Sequence, residues 1–372
     1  MAINKLENYW NNKFAAYMHD PFDKAFDIKG HVSRAAELLK QYGIDMPNDE
    51  FWKKADGIAS GFERGQIESF KKDEEKSGAV DFLKSPILSH PTGEKKHLHI
   101  KLPSGLTSDK ISTDLLDFIK QDIGIHAGEG GYSDNFKNDP NKFAIARFFY
   151  THLVLRFRLA QENVGEIGAL WHRLPADTRF PDHTIWQHNA LVSAINSCFE
   201  LAGNNNDIGM MVFSITPVQG FIAKARKLRD FWSGSVLLSW LAFEGIRWIM
   251  ENLGPDHVLY PSLIDQPLVN EYLFKEWRVK GGVNELNRDR DIASFPNKFL
   301  FLIPFNKAEE ISEEIKKTIL EKWNELAFTV KDDLIETFEH DTNHKLSDDE
   351  KKYIEEIFTR QNRNFWDIQW SA

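Results

Sequence analysis

The sequence predicts an α+β protein, mainly helical in its first half and built of strands and helices in its second. Three observations lead there. Apolar residues recur at helical spacing through much of the first two hundred positions. A polar break, Gly203-Asn-Asn-Asn-Asp207, then interrupts the chain. Beyond it an apolar run, Ile208 to Ile215, ends at Pro217 and begins a strand, helix, strand, strand, helix succession that fits a ferredoxin-like half. For a chain of 372 residues two domains are expected, and the break divides it into residues 1–205 and 206–372.

Taken in order, residues 1–40 read as helix, a loop around Pro21 and Gly30, then helix. Phe51 to Phe70 is a further helix despite Gly57, Gly61 and Gly65, and Lys71 to Lys76 is a charged linker. Pro86 to Leu102 passes from loop to strand, Gly124 to Asn141 is a long loop, and Phe143 to Gly168 reads as one aromatic-rich helix. Asn189 to Leu201 is an apolar helix. In the second half the strand at 208–216 is followed by helices at 217–232 and 234–252 and a short strand near His257–Tyr260. Lys298 to Pro304 is a strong strand and Glu309 to Val330 a long helix. Lys331 to Lys352 forms an exposed helical excursion.

The composition, 42% hydrophobic and 13% aromatic, supplies substantial cores rather than a disordered tail. A net charge of −10 argues against a chain that coats nucleic acid indiscriminately, so any such contact comes from local basic patches or partner subunits. Cys198 is the only cysteine, which excludes an intrachain disulfide and a cysteine-built zinc site. No uninterrupted apolar stretch reaches membrane-span length and no signal core opens the chain, so a cytoplasmic protein is expected.

His19-Asp20-Pro21 ends an apolar helix, and the turn at Pro21 lets imidazole and carboxylate converge on one divalent ion. His340-Asp341 is a second such pair, in a stretch charged enough to read as solvent-exposed. Gly30-His31 follows the first pair, and Asp56 and Ser60 lie one helical turn apart. Asp177, Asp182, His183 and His188 cluster before the apolar helix; His183 and His188 are five apart, so one is the better candidate ligand and the other a capping or structural residue. In the second half, Ser233-Gly234-Ser235 reads as the opening of a helix, where free N–H groups favour phosphate. Arg226 and Arg229 share a face of the helix before it.

The run Phe213 to Ser235 closely resembles the first palm of the large, polymerase/cyclase-like subunit of type III-B (Cmr) CRISPR effector complexes. The resemblance continues, in the same order, through His19-Asp20-Pro21, Ala55-Asp56-Gly57-Ile58-Ala59-Ser60, Pro86 to Glu94, Leu170 to His188 and the closing Arg360 to Trp370, and so covers nearly the whole chain. It implies a circularly permuted HD phosphohydrolase-like domain followed by a ferredoxin-like palm with helical additions. His19 and Asp20 would be the catalytic HD pair, with Asp56 and His183 or His188 completing a site for a divalent metal (Mn, Mg or Ni). It also implies ATP between this palm and a second one, bordered by Arg226, Arg229, Ser233, Gly234 and Ser235. The implied partners are the other Cmr-type subunits, crRNA and target RNA, with single-stranded DNA as a substrate and no membrane.

The family's Gly-Gly-Asp-Asp turn belongs to the second palm; here Gly130-Gly131-Tyr132-Ser133 lacks the acids. The expectation is therefore a split subunit or the N-terminal portion of a longer one, unable to make cyclic oligoadenylate by itself. A non-catalytic scaffold of the same complex and a free-standing HD phosphohydrolase acting on nucleotides are the competing readings.

Overall fold

The computed structural model describes residues 8–27, 30–46, 50–60, 82–83, 87–89, 95–97, 102–123, 136, 139–177, 183–279 and 292–372. The charged linker at Lys71 to Lys76 and most of the loop from Gly124 fall outside these. Helix α1 (Tyr9–Tyr17) carries Tyr9, Trp10, Phe14 and Tyr17 almost fully buried. A helix that buries this much aromatic surface packs into a core rather than lying on a surface. The chain turns at Pro21 and continues through α2 (His31–Gln41) and α3 (Glu50–Ala59). The described part of the helix expected over Phe51 to Phe70 thus ends near Ser60; the remainder lies outside the described residues. Strands β1 (Ile87–Ser89) and β2 (Lys95–His97) pair antiparallel, and α4 (Ser108–Asp122) follows under a Thr107 cap.

The single helix expected over 143–168 is instead three pieces. Helix α5 (Pro140–Leu153) begins earlier because Asp139 caps it and Pro140 is already set for the first helical position. It breaks at Val154 (φ −122°), restarts as α6 (Leu155–Gln161) and ends in a 3-10 turn at Val164–Glu166. Helix α7 (Ile185–Ala202) opens with a Thr184/Gln187 capping box and closes on Gly203 at φ 75°, a left-handed position that glycine takes without strain. Both α1 and α3 pack against α7, which gathers the helical half.

In the second half β3 (Gly209–Thr216) alternates: Met211, Phe213 and Ile215 are fully buried, whereas Met210 and Val212 are exposed. This is the signature of a sheet with one covered face. Next come the single turn α8 (Gln219–Ile222), the long α9 (Leu228–Asn252), β4 (Val258–Tyr260), α10 (Pro267–Trp277), β5 (Lys298–Ile303), α11 (Ala308–Thr342), α12 (Asp348–Asn362) and β6 (Asp367–Ser371). The four strands form one antiparallel sheet in the order β4-β5-β3-β6. Phe213 stacks on its cross-strand partner Phe299, and Gly245 of α9 lets Ile315 and Ile319 of α11 approach over the sheet. One apolar core runs continuously from Tyr9 to Ile368.

Two differences from the sequence reading bear on function. The helices expected at 217–232 and 234–252 are, instead, a one-turn helix and one long helix that begins at Leu228. Asp230 starts the long helix by accepting hydrogen bonds from the backbone N–H groups of Arg226 and Lys227, both 3.3 Å. Ser233, Gly234 and Ser235 therefore lie inside α9, not at a helix start. The two serines return their hydroxyls to the carbonyls of Arg229 and Phe231 (2.9 and 3.1 Å), so they leave the helix unbroken. Arg226 precedes α9 and Arg229 belongs to its first turn, so the two do not share a preceding helix. The excursion beyond Val330 is helical: α11 runs on to Thr342, and α12 returns under a Ser347/Glu350 capping box.

Candidate metal centre

Three separate segments bring one cluster together. His19 and Asp20 sit just past the end of α1, where the bend before Pro21 frees their side chains from the helix. Asp56 projects from α3 and His188 from the first turn of α7. His188 Nε2 lies 3.1 Å from Asp56 Oδ1 and 3.7 Å from Asp20 Oδ2; His19 Nε2 lies 3.5 Å from Asp20 and 3.8 Å from Asp56. The two imidazole rings are 5.4 Å apart between centroids. His19, Asp56 and His188 each offer an atom within 4.8 Å of the others, a spacing suited to one shared cation.

The protonation chemistry favours ligation. His19 Nδ1 donates to the Ala16 carbonyl at 2.8 Å, which fixes the tautomer and leaves Nε2 as the bare nitrogen. Nε2 of His19 and both ring nitrogens of His188 are buried with no hydrogen-bond partner. Orphaned lone pairs of this kind are costly unless an ion or proton takes them. Burial alone would raise the Asp56 carboxyl, yet His188 and His19 outweigh it and hold it well below the carboxylate range. Asp20 is held low in the same way: burial opposes ionisation, but His19, Lys24 and His188 prevail. Burial pushes the His188 imidazole down, towards its neutral form. Ionised carboxylates with neutral imidazoles are the states a metal requires, so the residues present fit a divalent cation.

The other expected site residues fall around this core. His183 lies just before the α7 cap, its ring 5.7 Å from that of His188 and outside the three-residue set; Thr184, not either histidine, caps the helix. Asp182 lies outside the described residues. Ser60 donates to the Asp56 carbonyl at 2.8 Å. His340 and Asp341 touch each other at 3.0 Å on the exposed end of α11, with no part in the site. Sequence reading left out two neighbours: Lys24, which binds the Asp20 carboxylate, and Trp52, whose ring lies 5.8 Å from that of His19. The i, i+4 spacing of Asp20 and Lys24 was a usable signal. His31 Nε2 also approaches Asp20, at 3.6 Å. Asn189 fastens the pair to α7 by donating to the Asp20 carbonyl at 2.9 Å.

In the second half of the chain, Leu228, Phe231 and Trp232 of α9 are exposed, as are Arg226 and Arg229. A Cβ built on Gly234 would meet only Phe221, at 3.5 Å, so the lack of a side chain there is not required by close packing.

A helix-rich chain with a histidine–carboxylate centre and a small antiparallel sheet is the class these features define. Residues 210–328 match the family model described as CRISPR-associated protein Cmr2, N-terminal. The chain is 29% identical to CRISPR system Cmr subunit Cmr2 of Pyrococcus furiosus over 93% of its own length and 41% of that protein's. It is 27% identical to the Cmr2 subunit of Saccharolobus solfataricus over 74% of its length and 26% of that protein's. Its fold is similar to a chain in the cryo-EM structure of type III-B Cmr-beta in the apo state, with TM-score 0.69 and 20% identity, covering 99% of this chain and 37% of that one. A second Cmr-beta structure, bound to cognate target RNA, gives TM-score 0.64 and 19% identity over 97% and 36% of the two chains. These matches support a type III-B Cmr2 large subunit, with the chain similar to the N-terminal portion of those subunits. It spans less than half the length of the relatives it matches.

Proposed function

We propose that the chain works within a type III-B effector complex as an HD domain, residues 1–205, joined to a palm, residues 206–372. In this reading other Cmr subunits, crRNA and target RNA are its partners, in the cytoplasm. The observation that carries the HD assignment is the convergence of His19, Asp20, Asp56 and His188 with buried, unbonded imidazole nitrogens. A divalent ion there would supply Lewis acidity and an activated water for hydrolysis of a phosphodiester in single-stranded DNA. His19, Asp56 and His188 would hold it; Asp20, buried beside His19 and within 3.6 Å of His31, would position and orient. The sheet order with its two covering helices is that of a ferredoxin-like fold, which supports the palm assignment. Its exposed Arg229 and Trp232 would face ATP and a second palm.

The test is metal content and nuclease activity of the purified chain. Stoichiometric Mn2+ or Ni2+ with chelator-sensitive cleavage of single-stranded DNA is expected, both lost in His19→Ala/Asp20→Ala while the fold persists. One observation favours a packing role instead: Lys24 already neutralises Asp20. A metal-free, inactive chain that unfolds on the same substitution would establish that role.

A further inference from the structure

A second cavity lies on the far side of α7's first turn, between the helical half and the segment around β4. It encloses about 530 Å3, within the range of small-molecule sites. Its polar wall holds Arg156, His152, His172 and the capping residues Thr184 and Gln187; Val258, Leu259 and Leu263 form much of the apolar wall. Arg156 is the unusual member. Its Nε is shielded from solvent and makes no hydrogen bond, and no carboxylate pairs with it among the described residues. Its guanidinium rests against the Phe157 ring, 5.0 Å from the centroid.

A half-buried guanidinium without a directly paired anion is costly: burial penalises its charge, and Tyr17 and Asp265 offset that only in part. The field around it is correspondingly positive. Burial, then Arg156 and Lys13, push His152 down to about 3, and burial, Arg156 and Arg173 lower His172. The amino-terminal end of the eighteen-residue α7 adds the positive end of its dipole at the same wall. One guanidinium beside uncharged imidazoles, with the lining Asp256 already engaged by Lys13, and aliphatic side chains opposite suit an organic anion rather than a bare ion. The planar fork of arginine suits phosphate in particular.

We propose that this cavity binds a phosphorylated small molecule of mononucleotide size, with Arg156 holding the phosphate and Val258, Leu259 and Leu263 covering its apolar part. The site is separate from the metal centre: Gln187 lines it, whereas the next residue, His188, points to the carboxylates.

The test is calorimetric titration of the whole chain with AMP, adenosine and inorganic phosphate, in EDTA so that no metal holds the phosphate. AMP is expected to bind at least about tenfold more tightly than either fragment, as two-part recognition requires. Arg156→Gln should weaken AMP by about tenfold or more, the loss of a charge-assisted pair. Should Arg156→Gln not fold, Leu259→Trp provides the second arm: Leu259 is 37% exposed, so a larger ring fits at the mouth and blocks entry while Arg156 stays intact. Undiminished AMP binding in either folded variant would overturn the proposal, as would phosphate or adenosine binding as tightly as AMP.

Discussion

Replacing Lys13 by Met tests how the two halves of the molecule are held together. Lys13 lies in α1, two turns before the candidate metal centre, and its Nζ reaches Asp256 Oδ2 at 2.7 Å with both side chains fully buried. Ser197 of α7 accepts a further hydrogen bond from it at 3.1 Å, and Tyr9 reaches the Leu253 carbonyl at 2.8 Å. Burial pushes the Lys13 amine down and the Asp256 carboxyl up, so each charge persists only through the other. Methionine keeps most of the stem that packs beside Phe148 but removes the cation. Asp256 must then take up a proton, because an unpaired buried carboxylate costs several kcal/mol.

An aspartate titrates near 3.9 when unfolded, so neutralising it at pH 7 costs about 4 kcal/mol. The sign follows from linkage. A carboxyl whose folded pKa is raised costs stability above its unfolded pKa, and that cost shrinks as pH falls towards that value. Urea denaturation should thus show Lys13→Met destabilised by about 4 kcal/mol at pH 7 and by about 1.5 kcal/mol at pH 5. Lys13→Met with Asp256→Leu should recover most of the loss at both pH values, since an apolar pair of similar volume carries no desolvation cost. A loss at pH 7 below about 1 kcal/mol, or one that does not change with pH, would refute the argument.

Three further outcomes follow from the geometry. Mn2+ should raise Tm by several °C at saturation, and His188→Ala should remove the rise. Because burial lowers His188, the effect should persist from pH 7 to 6 and fade only as His188 protonates below that. Gly234→Ala should stabilise by roughly 0.5–1 kcal/mol, because the position is helical and a methyl meets nothing closer than Phe221; a loss in chemical denaturation would show that α9 does not run through the Ser-Gly-Ser segment. Gly245→Val should destabilise by about 1–3 kcal/mol, since a Cβ there already meets Ile319 at 2.9 Å and Phe299 at 3.0 Å; unchanged stability would mean α9 sits farther from the sheet.

How much of this was legible in the sequence depended on whether the deciding interaction was local. The turn after His19 and Asp20 is written in Pro21 and the strand β3 in its apolar run, but the covered face of the sheet is not, because Met210 and Val212 are apolar yet exposed. The start of α9 was misread because serine and glycine suggest a cap. There the competing cap came from Asp230, and the serine hydroxyls found carbonyls one turn back. The strand β6 escaped notice because Asp367 to Ser371 becomes a strand through pairing with Val212 to Thr216, more than 150 positions earlier. Lys13 is the limiting case. Nothing near it in sequence distinguishes a surface lysine on α1 from a buried one, and only the turn at Gly254, whose φ of 118° brings Asp256 back against α1, makes the difference. The same turn leads into β4, beside the cavity that holds Arg156. The contact that ties the sheet to the helices of the candidate metal centre therefore also shapes the proposed anion site, and it is the one whose loss should be felt in both halves.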